Sequence, residues 1–242
     1  RAAGTSLSGQ AISDSVLIVL GDHWRGCVAA GDGATITLQP GVIGAAANRQ
    51  LAPFRRKIGP DPASIDTAMI GGIAANNASG MCCGTDQNSY RTLVGMRMVL
   101  ADGTVLDTRN DASRAAFLAA KPGLVRDMAA LGASVRANAA LSARISHKFR
   151  MKNTTGYSLN ALVDYDDPVD ILLHLMIGSE GTLGFISDIT YRTVPEHPCK
   201  ASALTVFDDL ESACTAVTLL STAPVSAVEL MDRAALRSVE QK

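Results

Sequence analysis

Hydrophobic and polar positions divide the chain into many short elements. Several apolar runs are short, rich in branched residues and bounded by turn formers, which is typical of strands. Asp102-Gly103 lies between two of these runs and predicts an antiparallel hairpin. The predicted strands cover residues 16–20, 34–39, 93–100, 105–108 and 183–194.

Between these strands, apolar residues recur at the spacing of a helix. The predicted helices cover residues 40–51, 113–120, 122–143 and 167–177. Leu124, Met128, Leu131 and Val135 repeat at helical spacing and predict a core-facing stripe. Asp167 is the predicted N-cap of the last helix.

A boundary is predicted near Pro195 and Pro198, where the chain becomes polar. Beyond it the pattern predicts a strand at 203–207, a helix at 208–221, a strand at 225–230 and a helix from Asp232. Residues 55–80 are rich in Gly, Pro, Asn and Ser, and predict a long functional loop with short helices.

Composition excludes several classes of protein. The 22 basic and 23 acidic side chains give a net charge of −1, which argues against a nucleic-acid binder. Hydrophobic residues make up 47% and charged residues 19%, as in a globular protein with a core. No apolar segment has the length of a membrane span.

The cysteines and histidines indicate neither disulfides nor a metal. The five cysteines are an odd number and include the adjacent Cys82 and Cys83, which favours a reducing, cytoplasmic compartment. Neither residue type shows metal-ligand spacing, so no metal site is predicted.

Three glycine-rich segments carry the candidate chemistry. The first, Gly-Thr-Ser-Leu-Ser-Gly-Gln at residues 4–10, allows successive backbone N–H groups to face an anion. It is not a Walker loop, because Gln10 stands where a lysine is needed. The segment predicts a phosphate or pyrophosphate site, with an exposed flexible turn as the alternative.

The second segment comprises residues 59–64, with two prolines, and residues 70–80, which have almost no side-chain bulk. Such a backbone can lie flat against a planar ligand, although a tight helix–sheet crossing is the alternative. The third segment, residues 178–187, has three glycines in seven residues and again predicts close backbone approach. Ser179 lacks the frame of a nucleophile elbow.

In this order the three segments resemble those of the vanillyl-alcohol-oxidase-type flavoproteins, the FAD-linked oxidases and dehydrogenases with a PCMH-type FAD-binding domain. The resemblance runs from Arg1 to about Val194 and implies an α+β fold that binds FAD. Family members with covalent FAD often carry a histidine in the first loop. Ala3-Gly4-Thr5-Ser6 offers none, so the resemblance implies non-covalent FAD.

The resemblance also implies which residues touch the cofactor. The pyrophosphate would meet the first segment, the isoalloxazine and diphosphate the second, and the flavin edge and adenine side the third. The implied cofactor-binding residues are Gly4, Thr5, Ser6, Leu7, Ser8, Gly9, Gln10, Pro60, Asp61, Pro62, Ser64, Ile70, Gly71, Gly72, Ala75, Asn76, Asn77, Ser79, Gly80, Gly178, Glu180, Gly181, Gly184 and Ile186.

A fourth segment, residues 152–162, resembles the Lys-x-x-x-Gly-Tyr-x-Leu segment of the D-2-hydroxyacid dehydrogenase branch, which includes D-lactate, glycolate and D-2-hydroxyglutarate dehydrogenases. The resemblance places Lys152, Asn153 and Tyr157 near the flavin or the substrate. A longer match, through residue 174, resembles large bacterial proteins that fuse this flavin module to an iron–sulfur region.

Three cations alternate with apolar residues just before this segment and at its first residue. Lys148, Arg150 and Lys152 would lie on one face of an extended segment. Such a face is suited to phosphate or a substrate carboxylate, with a solvated basic edge as the alternative.

The resemblance implies FAD-dependent oxidation of a D-2-hydroxy acid to a 2-oxo acid, with hydride transfer to the flavin. The electron acceptor would be an iron–sulfur region or a quinone outside the chain. Residues 1–197 would be the FAD-binding domain without its first strand–helix–strand unit, and residues 198–242 the beginning of the substrate domain. The chain is therefore expected to be a fragment, inactive alone.

The catalytic residues stay unknown at this stage, because the base of this branch lies in the part expected to be absent. His147 and His174 are interpreted as structural. Homo-oligomerisation is left open, as is membrane association through partners. Alternatives are an FAD oxidase that uses oxygen, a flavin reductase of the cell-wall-precursor type, and a non-catalytic phosphate- or nucleotide-binding module.

Overall fold

The computed structural model describes residues 1–220 and 222–240. The chain divides into two compact units, Arg1–Glu196 and His197–Lys242. The assignment of residues 1–197 to a flavin domain and 198–242 to a substrate domain stays a prediction.

A six-stranded sheet forms the centre of the first unit. Its strands are β1 (Cys27–Ala29), β2 (Thr35–Leu38), β3 (Arg56–Ile58), β4 (Leu93–Val99), β5 (Val105–Asp107) and β6 (Phe185–Pro195). The hydrogen-bonded order is β1-β2-β6-β4-β5, and β3 pairs with the C-terminal end of β6. All pairings are antiparallel, including the predicted hairpin β4–β5.

Ten α-helices occur in the described residues. They are α1 (Gly44–Leu51), α2 (Ile70–Asn76), α3 (Ser89–Thr92), α4 (Asp111–Ala120), α5 (Pro122–Ala137), α6 (Ala139–Lys148), α7 (Ala161–Asp164), α8 (Pro168–Leu175), α9 (Leu210–Leu220) and α10 (Arg233–Arg237). Together with the sheet, these helices confirm the predicted α+β class. None of those in the described residues has the length and apolar character needed to cross a membrane.

The core is built from the sheet and the helices beside it. Met96 and Met98 on β4 and Ile189 on β6 are fully buried, in one cluster with Ile171 of α8 and Ile73 of α2. At about 25 cal/mol per Å² of apolar surface, burial of such side chains is the main stabilising contribution. As a result, α2 is anchored to the core.

Asparagine and aspartate side chains set several helix boundaries. Asp167 accepts hydrogen bonds from the N–H groups of Val169 and Asp170, which confirms it as the N-cap of α8. The predicted helix over 122–143 is two helices, because Asn138 interrupts it and caps α6 by accepting from Leu141 N. The helical stripe on α5 is only partly core: Val135 is buried, whereas Leu131 is 48% exposed.

Three predicted strands are wrong, at residues 16–20, 203–207 and 225–230. A strand requires a neighbour for its N–H and C=O groups, and no described strand pairs with these segments. Val16 is consequently 92% exposed. The helix predicted over 208–221 is observed as α9, and Ser221 lies outside the described residues. The predicted loop over 55–80 contains β3 and α2.

Candidate cofactor-binding site

A cavity of about 900 Å³ lies where distant parts of the first unit meet. Its volume falls at the upper end of the range, roughly 300–1,000 Å³, that is usual for small-molecule sites. The lining comes from residues 1–20, from α2 and the turn before it, from the end of β4, and from residues 154–155 and 179–186. Parts of all three glycine-rich segments therefore face one cavity.

The wall of this cavity formed by α2 and residues 178–186, here called the inner wall, is held by backbone hydrogen bonds. Gly178 N donates to Ala74 O at 3.1 Å and Glu180 N donates to Ala75 O at 2.9 Å. Gly178 has a φ of +86°, and a Cβ there would lie 2.7 Å from Gly156 O. Glycine at this position is therefore required by the neighbouring backbone.

Gly71 and Gly72 have different surroundings although they are adjacent. A Cβ on Gly71 would lie 2.7 Å from the Cβ of Pro40, so this glycine permits close packing. A Cβ on Gly72 would meet only the Cβ of Ala2, at 3.5 Å. Gly72 leaves space in the cavity itself.

The two asparagines at the end of α2 connect the inner wall to its neighbours. Asn76 Nδ2 donates to Glu180 Oε1 at 2.6 Å and to Thr154 O at 3.3 Å. Asn77 ends the helix with a φ of +53°, and its Oδ1 accepts from Tyr90 N at 3.3 Å. The amides thereby fix the positions of residues 154 and 180 on the cavity.

Residues 1–20, here called the outer segment, form the opposite wall. Gly4 and Gly9 have φ values of +74° and +76°. The backbone N–H groups of residues 4–7 donate no hydrogen bond to any residue that the structure describes. Free N–H groups between left-handed glycines are typical of a backbone anion site.

Ser179 is a lining residue of the cavity, and its hydroxyl is buried and unpaired. The residue is 2% exposed, and its Oγ has no hydrogen-bond partner among the described residues. A buried polar group without a partner is destabilising by about 1–3 kcal/mol. Since the residue lines the cavity, this hydroxyl is a candidate contact for a bound ligand.

The cavity is nearly free of charge. Arg1 and Glu180 are the charged residues among the described lining residues, and no described histidine, cysteine or tyrosine lines it. Backbone N–H groups, hydroxyls and amides therefore provide its polar contacts.

Fifteen of the predicted cofactor-binding residues line the cavity. They are Gly4, Thr5, Ser6, Leu7, Ser8, Gln10, Ser64, Gly71, Gly72, Ala75, Asn76, Glu180, Gly181, Gly184 and Ile186. The remaining ones are not among the lining residues: Gly9, Pro60, Asp61, Pro62, Ile70, Asn77, Ser79, Gly80 and Gly178.

Asp61 and Gly80 support the wall from behind. Asp61 Oδ1 accepts from Gly80 N at 3.1 Å and from Cys83 N at 3.2 Å. A Cβ on Gly80 would lie 1.8 Å from Asp61 O, so the two backbones are in direct contact. Burial is the main cause that raises the pKa of the Cys83 thiol.

Lys152, Asn153 and Tyr157 lie beside the cavity. Lys152 Nζ donates to Gly80 O at 3.3 Å, and Asn153 O accepts from Asn77 Nδ2 at 3.5 Å. The Tyr157 hydroxyl is 2.6 Å from Thr182 Oγ1, and Thr182 lines the cavity. These contacts connect the fourth segment to the second and third.

The predicted extended cationic segment is wrong. Lys148 is the last residue of α6, and the next residues continue as turns, with Arg150 N donating to His147 O. Lys148, Arg150 and Lys152 therefore do not alternate along a strand, because the C-terminal turn of α6 includes the first of them.

His174 is part of the core. Its ring stacks on Tyr165 with a centroid distance of 4.0 Å and meets Tyr90 edge-on at 4.9 Å. Burial lowers the pKa of His174 below its ordinary value. Neither His174 nor His147 lines the cavity.

Several lining residues were not predicted from the sequence. They include Ala2, Ala3, Val99, Leu100, Ala101, Thr154, Thr155 and Ser179. The end of β4 carries no sequence motif, so its position beside the cavity can be seen only in the folded sheet. Ser179 lies between the predicted residues Gly178 and Glu180, which were the only sequence feature that could have indicated it.

Comparisons with known proteins agree with this geometry. Residues 1–109 match a protein family described as FAD binding domain. The chain is 26% identical over 239 residues to D-2-hydroxyglutarate dehydrogenase of Pantoea ananatis, covering 96% of this chain and 23% of that protein. It is also 26% identical over 244 residues to glycolate oxidase subunit GlcD of Escherichia coli, covering 99% of this chain and 38% of that protein.

A solved structure of alkyldihydroxyacetonephosphate synthase aligns with 80% of this chain and 27% of its own, with a TM-score of 0.46 and 16% identity. The chain spans well under half of the length of the two sequence relatives, the dehydrogenase and the oxidase subunit.

Proposed function

We propose that the chain is the flavin-holding part of a dehydrogenase for D-2-hydroxy acids, because residues 1–109 match a family described as FAD binding domain. The observation that carries the proposal is the meeting of all three glycine-rich segments around one cavity. The relatives named D-2-hydroxyglutarate dehydrogenase and glycolate oxidase support the class of substrate.

The residues of the cavity fit FAD. The free N–H groups of residues 4–7 suit the pyrophosphate, the space in front of Gly72 suits a planar ring, and the Ser179 hydroxyl requires a partner. The flavin is held non-covalently in this proposal. The absence of histidine, cysteine and tyrosine from the described lining supports that feature.

When bound, FAD supplies the acceptor for the hydride of the hydroxy acid. The chain contributes position: the inner wall is packed into the core, and the N–H groups of the outer segment would orient the pyrophosphate. Lys152, beside Gly80, is the proposed contact for the substrate carboxylate, because its ammonium donates only to a backbone carbonyl in the described structure. The base that accepts the hydroxyl proton is not assigned.

Flavin retention tests the first part of the proposal. The purified chain is incubated with FAD, freed of excess ligand, and examined by visible absorption before and after denaturation. Stoichiometric flavin that denaturation releases is the expected result. A folded chain that retains no flavin would contradict the proposal and leave a phosphate- or nucleotide-binding module as the alternative.

Substrate bleaching tests the second part. The flavin-loaded full-length protein is mixed without oxygen with D-lactate, glycolate, D-2-hydroxyglutarate and the L-enantiomers of the two chiral acids. Loss of visible flavin absorbance with D-acids or glycolate is expected, followed by dye reduction with little oxygen consumption. Rapid oxygen consumption would indicate an oxidase, and retained FAD that no acid bleaches would contradict the substrate class.

A further inference from the structure

Glu180 has an unusual backbone conformation, and its carboxylate accepts hydrogen bonds from two different side chains. Its φ is +52°, in the left-handed region that non-glycine residues rarely adopt. Its Oε1 accepts from Asn76 Nδ2 at 2.6 Å and from Gln10 Nε2 at 3.3 Å. One oxygen atom therefore joins the inner wall to the outer segment.

The Gln10–Glu180 hydrogen bond attaches the outer segment to the rest of the first unit. Among the described residues, no other hydrogen bond or ion pair connects residues 1–20 to the rest of the chain. The remaining hydrogen bonds of the outer segment are internal, such as Leu20 N to Arg1 O at 3.0 Å. The position of the outer segment thus depends strongly on Glu180.

Hydrogen bonds inside the outer segment extend this connection. The Ser6 hydroxyl is hydrogen-bonded to Gln10 Oε1, and Ser8 N donates to Ser6 Oγ at 3.4 Å. A continuous series of hydrogen bonds therefore runs from the backbone of residue 8 through Gln10 to Glu180 and Asn76. Polar networks of this kind couple the positions of their members.

We propose that Glu180 is a positioning residue that holds the proposed pyrophosphate-binding loop, residues 4–10, against the cavity. The hydrogen bonds from Gln10 and Asn76 to Glu180 Oε1 are here called the latch. The role of the latch in cofactor affinity rests on the proposed FAD function, whereas its effect on the outer segment does not. Glycine would adopt φ +52° without strain, so the backbone conformation alone does not require a glutamate at this position.

The test uses three variants. Glu180→Met removes the acceptor at similar length, Glu180→Gln keeps a carbonyl oxygen that accepts both donors, and Gln10→Met removes the exposed donor. Proteolysis of a transiently opened segment reports its open population. Thermolysin cleavage within residues 16–20, whose sequence is the same in all variants, is measured without FAD. It is expected to be about tenfold faster in both Met variants, as for loss of a hydrogen bond to a charged group.

The expected result for Glu180→Gln is cleavage within about threefold of the original chain, since the acceptor oxygen remains. Unchanged cleavage in Glu180→Met or Gln10→Met would overturn the latch. Equal acceleration in Glu180→Gln and Glu180→Met would also overturn it, because the charge and not the acceptor would then matter. Gln10 is exposed, so Gln10→Met keeps the test valid if a variant at 180 fails to fold.

FAD affinity gives the second measurement. Each Met variant is expected to raise the Kd for FAD about tenfold, and the double variant no more than either single one. Independent, multiplying losses would contradict the latch. If the original chain does not bind FAD, the proposed function fails, and the cleavage rates measured without FAD still decide whether the latch exists.

Discussion

The inner wall and the outer segment face the same cavity but are built differently. The inner wall belongs to the core: Ile70 and Ile73 of α2 are fully or almost fully buried, and Ser179 is 2% exposed. The outer segment has apolar side chains in solvent, with Ile18 73% exposed. Only the latch connects its polar groups to the described remainder of the chain.

The two walls would therefore contribute differently to binding: one shapes the site and the other supplies hydrogen-bond donors. The inner wall is packed into the core, and Gly72 leaves space open in front of it, so binding there should need little additional ordering. The outer segment supplies N–H donors whose ordering reduces the affinity, because binding must restrict a segment with few contacts. Changes in the inner wall should therefore alter stability or exclude the ligand, and changes in the outer segment should alter affinity.

Gly80→Ala should have the largest effect, on stability. The new methyl group would overlap the backbone of Asp61, because its Cβ would lie 1.8 Å from Asp61 O. We expect the free energy of unfolding to fall by about 3 kcal/mol, measured by chemical denaturation. Gly21→Ala is the matched control just after the outer segment, where nothing lies within 4 Å of a Cβ. Equal losses in the two variants would contradict the claim that the close contact between Gly80 and Asp61 requires a glycine.

Gly72→Val should abolish flavin retention while the chain stays folded. The branched side chain would occupy the space in front of α2, where a Cβ contacts only Ala2. We expect the Kd for FAD to rise about a hundredfold, as for overpacking of a tight site. Gly72→Ala, with a smaller side chain, should raise the Kd for FAD much less. A folded Gly72→Val chain that retains stoichiometric FAD would refute the placement of the cofactor.

Ser179→Ala should weaken FAD binding about fivefold to tenfold without destabilising the FAD-free chain. The variant removes an unpaired buried hydroxyl, so the free chain loses no hydrogen bond. Ser158→Ala is the matched control, because the equally buried Ser158 donates to Ile177 O at 2.7 Å. That control should lose stability instead. Thermal unfolding and FAD titration measure the two effects, and the reverse pattern would contradict the assignment.

Salt should have the smallest effect. Arg1 and Glu180 are the charged residues of the described lining, so the pyrophosphate would meet neutral donors whose interactions salt screens little. We expect the Kd for FAD to change less than about threefold between low and moderately high salt. A steep rise of the Kd, measured by titration at several salt concentrations, would show that cations, Arg1 among them, dominate binding.

Sequence patterns predicted the order of the helices and strands better than they predicted which segments pair in the sheet. The hairpin β4–β5 and the N-cap Asp167 follow from local chemistry and were predicted. Residues 16–20 have the local pattern of a strand, but a strand also needs a neighbour, which local patterns do not show. Asn138 was overlooked as a cap because the apolar spacing continues across it.

The candidate site shows a similar limit. Glycine marks close approach, but the sequence does not reveal what approaches: Gly71, Gly80 and Gly178 contact their own protein, whereas Gly72 leaves the cavity open. The contribution of Val99 and its neighbours depends on the sheet order, which brings the end of β4 beside residues 184–186. The latch joins residues far apart in the sequence and has no local signature.

Titration of Trp24 fluorescence with FAD tests the central claim most directly. Trp24 is the single tryptophan of the chain, and its ring lies 5.1 Å from that of Phe185, which lines the cavity. We predict quenching that saturates at stoichiometric FAD, and none beyond that of free tryptophan in folded Gly72→Val. Absence of saturable quenching, or equal quenching in Gly72→Val, would contradict a flavin in this cavity.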